Sequence, residues 1–198
     1  LAAFISKKVE IDEMLTRLAG SDATLSAGAQ LRGQQGPVRY NLAANHFETD
    51  GWREHSRARR ESFNGRLGVD VGGGQLDLVL NYLDAPDAQD PLGLTRAQVN
   101  ADPRQATAVA TQYNTRKSVR QGQAGLVFTR TEGAQTWRAM GYAGQRQVEQ
   151  YLAIPPGPQA NPLHAGGVID LDGGYGGLDL RWAWQGDWLG RPLEAVIG

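Results

Sequence analysis

The sequence predicts an all-β protein, an antiparallel up-and-down meander of about eight strands from a transmembrane β-barrel, behind a short N-terminal helix. Three observations carry that expectation. Run after run alternates apolar and polar residues with period two, the spacing of a strand that shows each face a different environment. The connections alternate in length, short at 33–36, 72–75, 130–135 and 186–190 and long at 48–60, 84–117 and 145–174. In a meander this gathers the long ones at one end, as in outer-membrane barrels. The apolar faces are also poor in volume: Ala27, Ala29, Ala44 and Gly65 would leave voids in a core at protein density, whereas lipid tails flow into such gaps.

Taken in order, Phe4, Ile5, Leu15 and Leu18 recur at helical spacing, with Ile11 between them, and predict a helix over 4–19 that Gly20 stops. The chain is therefore divided into a helical leader, 1–20, and a partial barrel, 21–198. Ala23, Leu25, Ala27, Ala29 and Leu31 alternate with polar residues, and after "GQQG" so do Val38, Tyr40, Leu42 and Ala44. Phe63, Gly65, Leu67, Val69 and Val71, then "GGGQ", then Leu76, Leu78, Leu80 and Tyr82 make a hairpin. In the long segment that follows, "TRAQ" at 95–98 is a capping box opening a short helix that ends before Pro103. Strands are expected around Ala124–Phe128, from Trp137 to Ala143, across "YGGLDLRWAWQG" and around Leu193–Ile197, where the chain stops within a strand. Its start without Met or signal peptide reads as a mature or excised piece.

"YGGLDLRWAWQG" places Leu178, Leu180, Trp182 and Trp184 on one side and Asp179, Arg181, Ala183 and Gln185 on the other. A soluble sheet turns the first set onto a core; a membrane barrel turns it to lipid and lines its lumen with the second. Arg32, Arg39, Arg66, Asp70 and Asp77 join that second set, and aromatics lie in or beside the strands as an interfacial girdle requires.

Composition excludes other classes. With 20 Lys plus Arg against 21 Asp plus Glu, a formal charge of −1 supplies no global field toward nucleic acid. No cysteine is present, so there is no thiolate metal site, cysteine nucleophile or disulfide scaffold. No apolar run approaches the ~20 residues of a spanning helix, which leaves strands as the only way through a bilayer.

Five segments, "FETDGWREHS" (47–56), "DAQDPLGLTRAQ" (87–98), "YNTRKSV" (113–119), "ANPLHAGGVIDL" (160–171) and "GLDLRW" (177–182), resemble in content and order the barrel of TonB-dependent outer-membrane receptors of the ferric-siderophore type. The resemblance runs from about residue 23 to the end. It implies a twenty-two-stranded barrel filled by an N-terminal plug, set among outer-membrane lipid, that imports iron chelates with energy passed through TonB. Iron is then cargo, an Fe(III) chelate, with no resident cofactor. No plug or TonB box is found and residues 1–20 match nothing in such receptors, so the chain resembles a fragment from the first part of the barrel and should not transport alone.

The strongest chemical concentration is Trp52, Arg53, His55 and Arg57, followed by Arg59 and Arg60. In a receptor this is an external loop whose guanidinium groups attract an anionic iron chelate while Trp52 stacks on a ring. Tyr113, Arg116 and Lys117 close the next long loop and join them as candidate ligand-binding residues. The blander reading is a solvated basic loop. "DAPDAQD" reads as an aspartate-rich turn, since it lacks the spacing of a calcium loop. His46, His55 and His164 lack zinc-site spacing. "GGG" at 72–74 and "GGYGG" at 173–177 read as turns, because neither precedes a helix that would present a phosphate site. No GxSxG occurs, and Ser56 beside His55 is only a neighbour in sequence. Two rivals remain: a barrel enzyme, for which no catalytic set is apparent, and a soluble β-sheet carbohydrate-binding module using Trp182, Trp184 and Trp188 as a sugar platform.

Overall fold

The computed structural model describes residues 10–198 in backbone and 14–198 in side chains. Among the described residues nine strands form one antiparallel sheet in strict chain order: β1 (Glu10–Ala19), β2 (Leu25–Gln35), β3 (Val38–Thr49), β4 (Ala58–Val71), β5 (Gly74–Gln89), β6 (Arg116–Glu132), β7 (Gln135–Tyr151), β8 (Val168–Trp188) and β9 (Arg191–Ile197). Three short helices interrupt the long connections: α1 (Arg96–Ala101) and α2 (Ala108–Tyr113) between β5 and β6, and α3 (Pro156–Gln159) between β7 and β8. The sheet is not closed, since β1 and β9 lie at its two edges.

Cross-strand register assigns every side chain to a face. Tyr40, Leu67, Leu78, Leu126, Gly141 and Leu178 form one row across six strands. Its flanking rows include Val38, Val69, Leu76, Phe128, Ala139 and Leu180 on one side and Leu42, Gly65, Leu80, Ala124 and Ala143 on the other. The opposite face is ionic and amidic. There Arg39 makes a paired bond to Asp70 at 2.8–2.9 Å, Arg66 meets Asp77 at 2.8 Å, and Asp179 is held by Arg138 at 2.8 Å and Arg181 at 3.0 Å. Above this charged zone the same face carries neutral amide pairs, Gln30 with Asn41 and Asn81 with Asn64.

Among the described residues no second layer covers the apolar face. Leu178 is 87% exposed and Leu180 69%, and Ala110 is the only apolar side chain buried among the described residues. From Phe63 to Val71 the apolar band follows β4 for eight residue steps, roughly 26 Å at about 3.3 Å per step. A strand tilt of about 40° brings it to roughly 20 Å, close to the height of a barrel's lipid belt. Its rims are aromatic. Trp137 and Trp182 pair at 6.1 Å between centroids toward the short-turn end, and Phe63 faces Tyr82 toward the other.

The expected helix over 4–19 is replaced by strand β1 where the chain is described; residues 4–9 of that expectation lie outside the described part. Glu10 through Ala19 pair residue for residue with Gln34 through Leu25. Few apolar residues marked the helical pattern, and a ladder of backbone hydrogen bonds to a neighbouring strand outweighs so weak a local preference.

Strands also run further than the alternation indicated, so the long connections shrink to 50–57, 90–115 and 152–167. Beyond Phe63 and Tyr82 the row on the formerly apolar face reads His46, Glu61, Asp84, Arg120, Gln147, Asp172. Here the contrast changes sides, since the opposite face of β5 to β8 carries Ala85, Val119, Val148 and Leu171, and the period-two signal loses its phase although pairing continues. "DAPDAQD" accordingly lies mostly in β5, with an irregularity between Ala85 and Ala88 that accommodates Pro86. "GGYGG" is likewise strand, not turn: Gly173–Gly177 pair with Arg146–Tyr142. A Cβ on Gly144 would meet the Tyr175 ring at 2.6 Å and one on Gly177 the Tyr142 ring at 2.8 Å, so these glycines form the bed on which two tyrosines lie. At 72–73 the turn is as expected, with both glycines at positive φ.

Candidate functional site

The long connections between β3 and β4 and between β5 and β6 share one end of the sheet and are fused into one block. Its frame is local chemistry. Thr95 caps α1 as the sequence indicated, accepting from the Gln98 N–H at 3.3 Å while the Gln98 side chain accepts from the Thr95 N–H at 2.8 Å. Thr107 caps α2, and Asn114 ends it in the left-handed conformation. Thr115, 2% exposed, donates its hydroxyl to the Asp90 carbonyl at 2.6 Å and ties the two ends of the connection together.

Arg53 joins the two loops. Its Nη1 donates to the Leu92 carbonyl at 2.7 Å, its Nη2 to Gln105 at 2.8 Å and Pro91 at 3.3 Å, and its Nε to Gln105 at 3.1 Å. His55 Nε2 lies 2.8 Å from the Thr115 carbonyl, which fixes Nε2 as the donor. The Glu54 N–H donates to the Arg104 carbonyl at 2.7 Å. Gly51 permits this path, since at φ +81° a Cβ would collide with Ser56.

The seven candidate ligand residues thus part company. Arg53 and His55 have their polar atoms turned on backbone carbonyls within the block. Trp52 is 53% exposed, with the Arg104 guanidinium 5.8 Å from its ring and Asp22 bound to Arg104 at 3.1 Å. Arg57 pairs with Asp87 at 3.1 Å, and Arg116 stacks on Tyr151 at 3.7 Å, both on the apolar-face side above the band. Lys117 is exposed on the ionic-face side, and Tyr113 is half-buried at the end of α2. Arg104 and Asp22, distant from Trp52 in sequence, carried no motif; only the folding of the loops together shows them. Among the described residues no cluster of His, Asp and Glu is arranged to hold a metal ion.

The polar row above the apolar band is tied in pairs of strands, β3 to β4 by His46 and Glu61, β5 to β6 by Asp84 and Arg120 at 3.4 Å, and β7 to β8 by Gln147 and Asp172 at 3.1 Å. Glu61 accepts from His46 Nδ1 at 2.7 Å and from Arg59, and these partners hold its carboxyl below the usual carboxylate range against the opposing effect of desolvation. Asp172 is lowered in the same sense by amide donors from Gln145 and Gln147.

A single-layer meander with one apolar and one ionic face and its long connections at one end has the architecture of part of an up-and-down β-barrel wall. No family model matches the sequence. In structure the chain is similar to the ferric citrate transporter FecA in its unliganded form, with a TM-score of 0.67 and 19% identity, over 87% of this chain and 25% of the transporter. The chain spans about a quarter of the length of the protein it matches, and at this identity the likeness establishes the fold.

Proposed function

We propose that the chain is part of the barrel of an outer-membrane receptor that binds and imports a ferric siderophore or a similar iron chelate, energised through TonB by way of a plug domain. The apolar face meets lipid, the ionic face lines the lumen, and the long connections stand outside the cell. One observation carries the reading. Leu178 and Leu180 stand bare on one face while Asp179, between them, is held by two arginines on the other. In water such an apolar face would be an aggregation liability, and in a bilayer it is the required surface. Likeness to a ferric citrate transporter supports the iron chelate as cargo.

Within the loop block, Trp52 and Arg104 offer the stacking face and charge for an anionic chelate, with Tyr113 at the end of α2 and Lys117 on the ionic-face side. Arg53 acts on the ligand only through the loops it holds. The carbohydrate-module reading is disfavoured because Trp182 and Trp184 continue the rows of Leu178 and Leu180, making them the edge of a band and not a separate platform.

The test uses cells producing the intact parent protein. Uptake of radioactive iron as hydroxamate, catecholate and citrate chelates is measured with and without TonB and an uncoupler. Uptake of one class, abolished in both deprived conditions, is expected. Release of the protein from membranes by alkaline carbonate without detergent, or uptake indifferent to TonB, overturns the reading.

A further inference from the structure

Toward the long connections the ionic face changes character. From the row of Asn64 and Asn81 upward it carries no carboxylate on β3 to β8, whereas the other face mixes Glu61, Asp84, Glu149 and Asp172 with Arg59 and Arg120. The cations on the ionic face at this height are Arg60, Lys117 and Arg146. Arg60 lies 5.8 Å from the Phe47 ring. Lys117 and Arg146 are exposed and have no hydrogen-bond or ion-pair partner among the described residues. The first carboxylate beyond these rows, Asp90, stands opposite Thr115 and accepts from the Leu92 N–H at 2.9 Å.

Between the rows of Arg146 and Lys117 runs an apolar one, Ala85, Val119, Val148 and Leu171, a single residue from each of β5 to β8. It spans three strand spacings, about 14 Å. Leu171 is 48% exposed, and Ile169, one row higher on β8, 44%. These side chains point away from the apolar band's side of the sheet, so a bilayer meeting that band does not cover them. On the side of the row away from Lys117, the Tyr175 ring lies on Gly144. Its hydroxyl donates to Gln123 at 3.0 Å and accepts from Gln121 at 2.9 Å. Gln121 stands opposite Arg146. A guanidinium with free donors and a ring fixed in place thus adjoin an open aliphatic row.

We propose that this wall seats an anionic iron chelate carrying an acyl tail. The tail lies across Val119, Val148 and Leu171, the anionic head is bound by Arg146 against the Tyr175 ring, and Lys117 adds attraction from the loop side. The proposal rests on the reading that the ionic face lines the lumen of an iron-chelate receptor. Two observations select the occupant: a wholly polar chelate leaves the aliphatic row bare in water, and an apolar compound without charge leaves Arg146 and Lys117 unpaired.

The intact parent protein in lipid nanodiscs is titrated with iron(III) complexes of one citrate-dihydroxamate chelator carrying an acetyl or a lauroyl group. Partitioning of the tail into the bilayer is common to wild type and variants and cancels in their comparison. The lauroyl-to-acetyl affinity ratio is expected to be about tenfold higher in wild type than in Val148→Asp, what burying roughly two methylenes supplies. Leu171→Asn gives the same reading if heat-modifiable gel mobility shows that Val148→Asp does not fold. Arg146→Gln should weaken both complexes and leave the ratio standing. Because the sequence holds no cysteine, Leu171→Cys reports on the row directly: an impermeant maleimide should label it on cells, and the lauroyl complex, not the acetyl one, should block the labelling. A ratio unchanged by the Val148 and Leu171 variants overturns the proposal. So does a Leu171→Cys protein that is unreactive without chelate, the outcome if another part of the protein, such as the β7–β8 connection, covers the row. Acetyl and lauroyl complexes bound alike remove the tail seat alone, whereas binding of neither, with uptake indifferent to TonB, removes the receptor reading beneath it.

Discussion

Arg53 shows how much one side chain does when its donors are all aimed. Its fork reaches three carbonyls on a connection about forty to fifty residues away in sequence, and hydrogen bonds from a charged donor contribute roughly 1.5–3 kcal/mol each. Lysine offers a point charge on a flexible stem and cannot match several carbonyls at once. We therefore expect Arg53→Ala and Arg53→Lys alike to loosen residues 90–115, read as faster proteolysis there with the barrel intact, while Arg57→Ala leaves the cleavage rate unchanged. Equal protection of wild type and Arg53→Ala would show the loops to be held by other contacts. Arg57 differs because its pair with Asp87 is exposed, and pairs of that kind contribute about 1 kcal/mol or less.

At the scale of strands, the polar row above the apolar band joins neighbours two by two, β3 to β4, β5 to β6 and β7 to β8. Glu61, between β3 and β5, has its carboxyl lowered in the folded state by His46 and Arg59. A lowered folded value means that the stabilisation is fully present above the ordinary Glu pKa of about 4.3 and is lost as pH falls through the folded value. Glu61→Gln should therefore lower the thermal midpoint of the parent barrel at neutral pH, by an amount worth no more than about 1 kcal/mol. The gap to wild type should close below about pH 4; a gap independent of pH would assign the effect to packing. This row also marks where the sequence stopped being legible. Hairpin positions, the two faces and the Thr95 cap followed from alternation and turn chemistry because each is written within a few residues. Strand ends did not, since beyond Phe63 the contrast changes sides, with His46, Asp84 and Gln147 on the face that was apolar and Phe47, Leu83 and Val148 on the other, while backbone pairing continues. β1 was misread for a related reason: what makes it a strand is β2, not its own residues. Within the site, Trp52 and Arg53 were visible as types, but Arg53's partners are backbone carbonyls, which no sequence pattern announces.

For the whole molecule, the placement of tryptophan separates the two ends. Trp137, Trp182 and Trp184 lie on the apolar face near the short turns, and Trp52 sits in the loop block at the far end. In single-tryptophan variants of the reconstituted parent protein, brominated acyl chains should quench Trp137 and Trp182 strongly and leave Trp52 bright. Strong quenching of Trp52 would invert the orientation.

The overshoot of the strands sets the height of the loop block above the apolar band. On β6 the ladder climbs from Gly122, the last row of the band, to Arg116, about 20 Å along the strand at about 3.3 Å per residue, or roughly 15 Å of height at a barrel's tilt of about 40°. Mobile ions attenuate a surface potential over about 8 Å in physiological saline. In the proposed receptor the loop block would stand like a turret nearly two such lengths above the headgroups, and an arriving anion would feel the turret's own guanidinium groups more than the charge of the bilayer below.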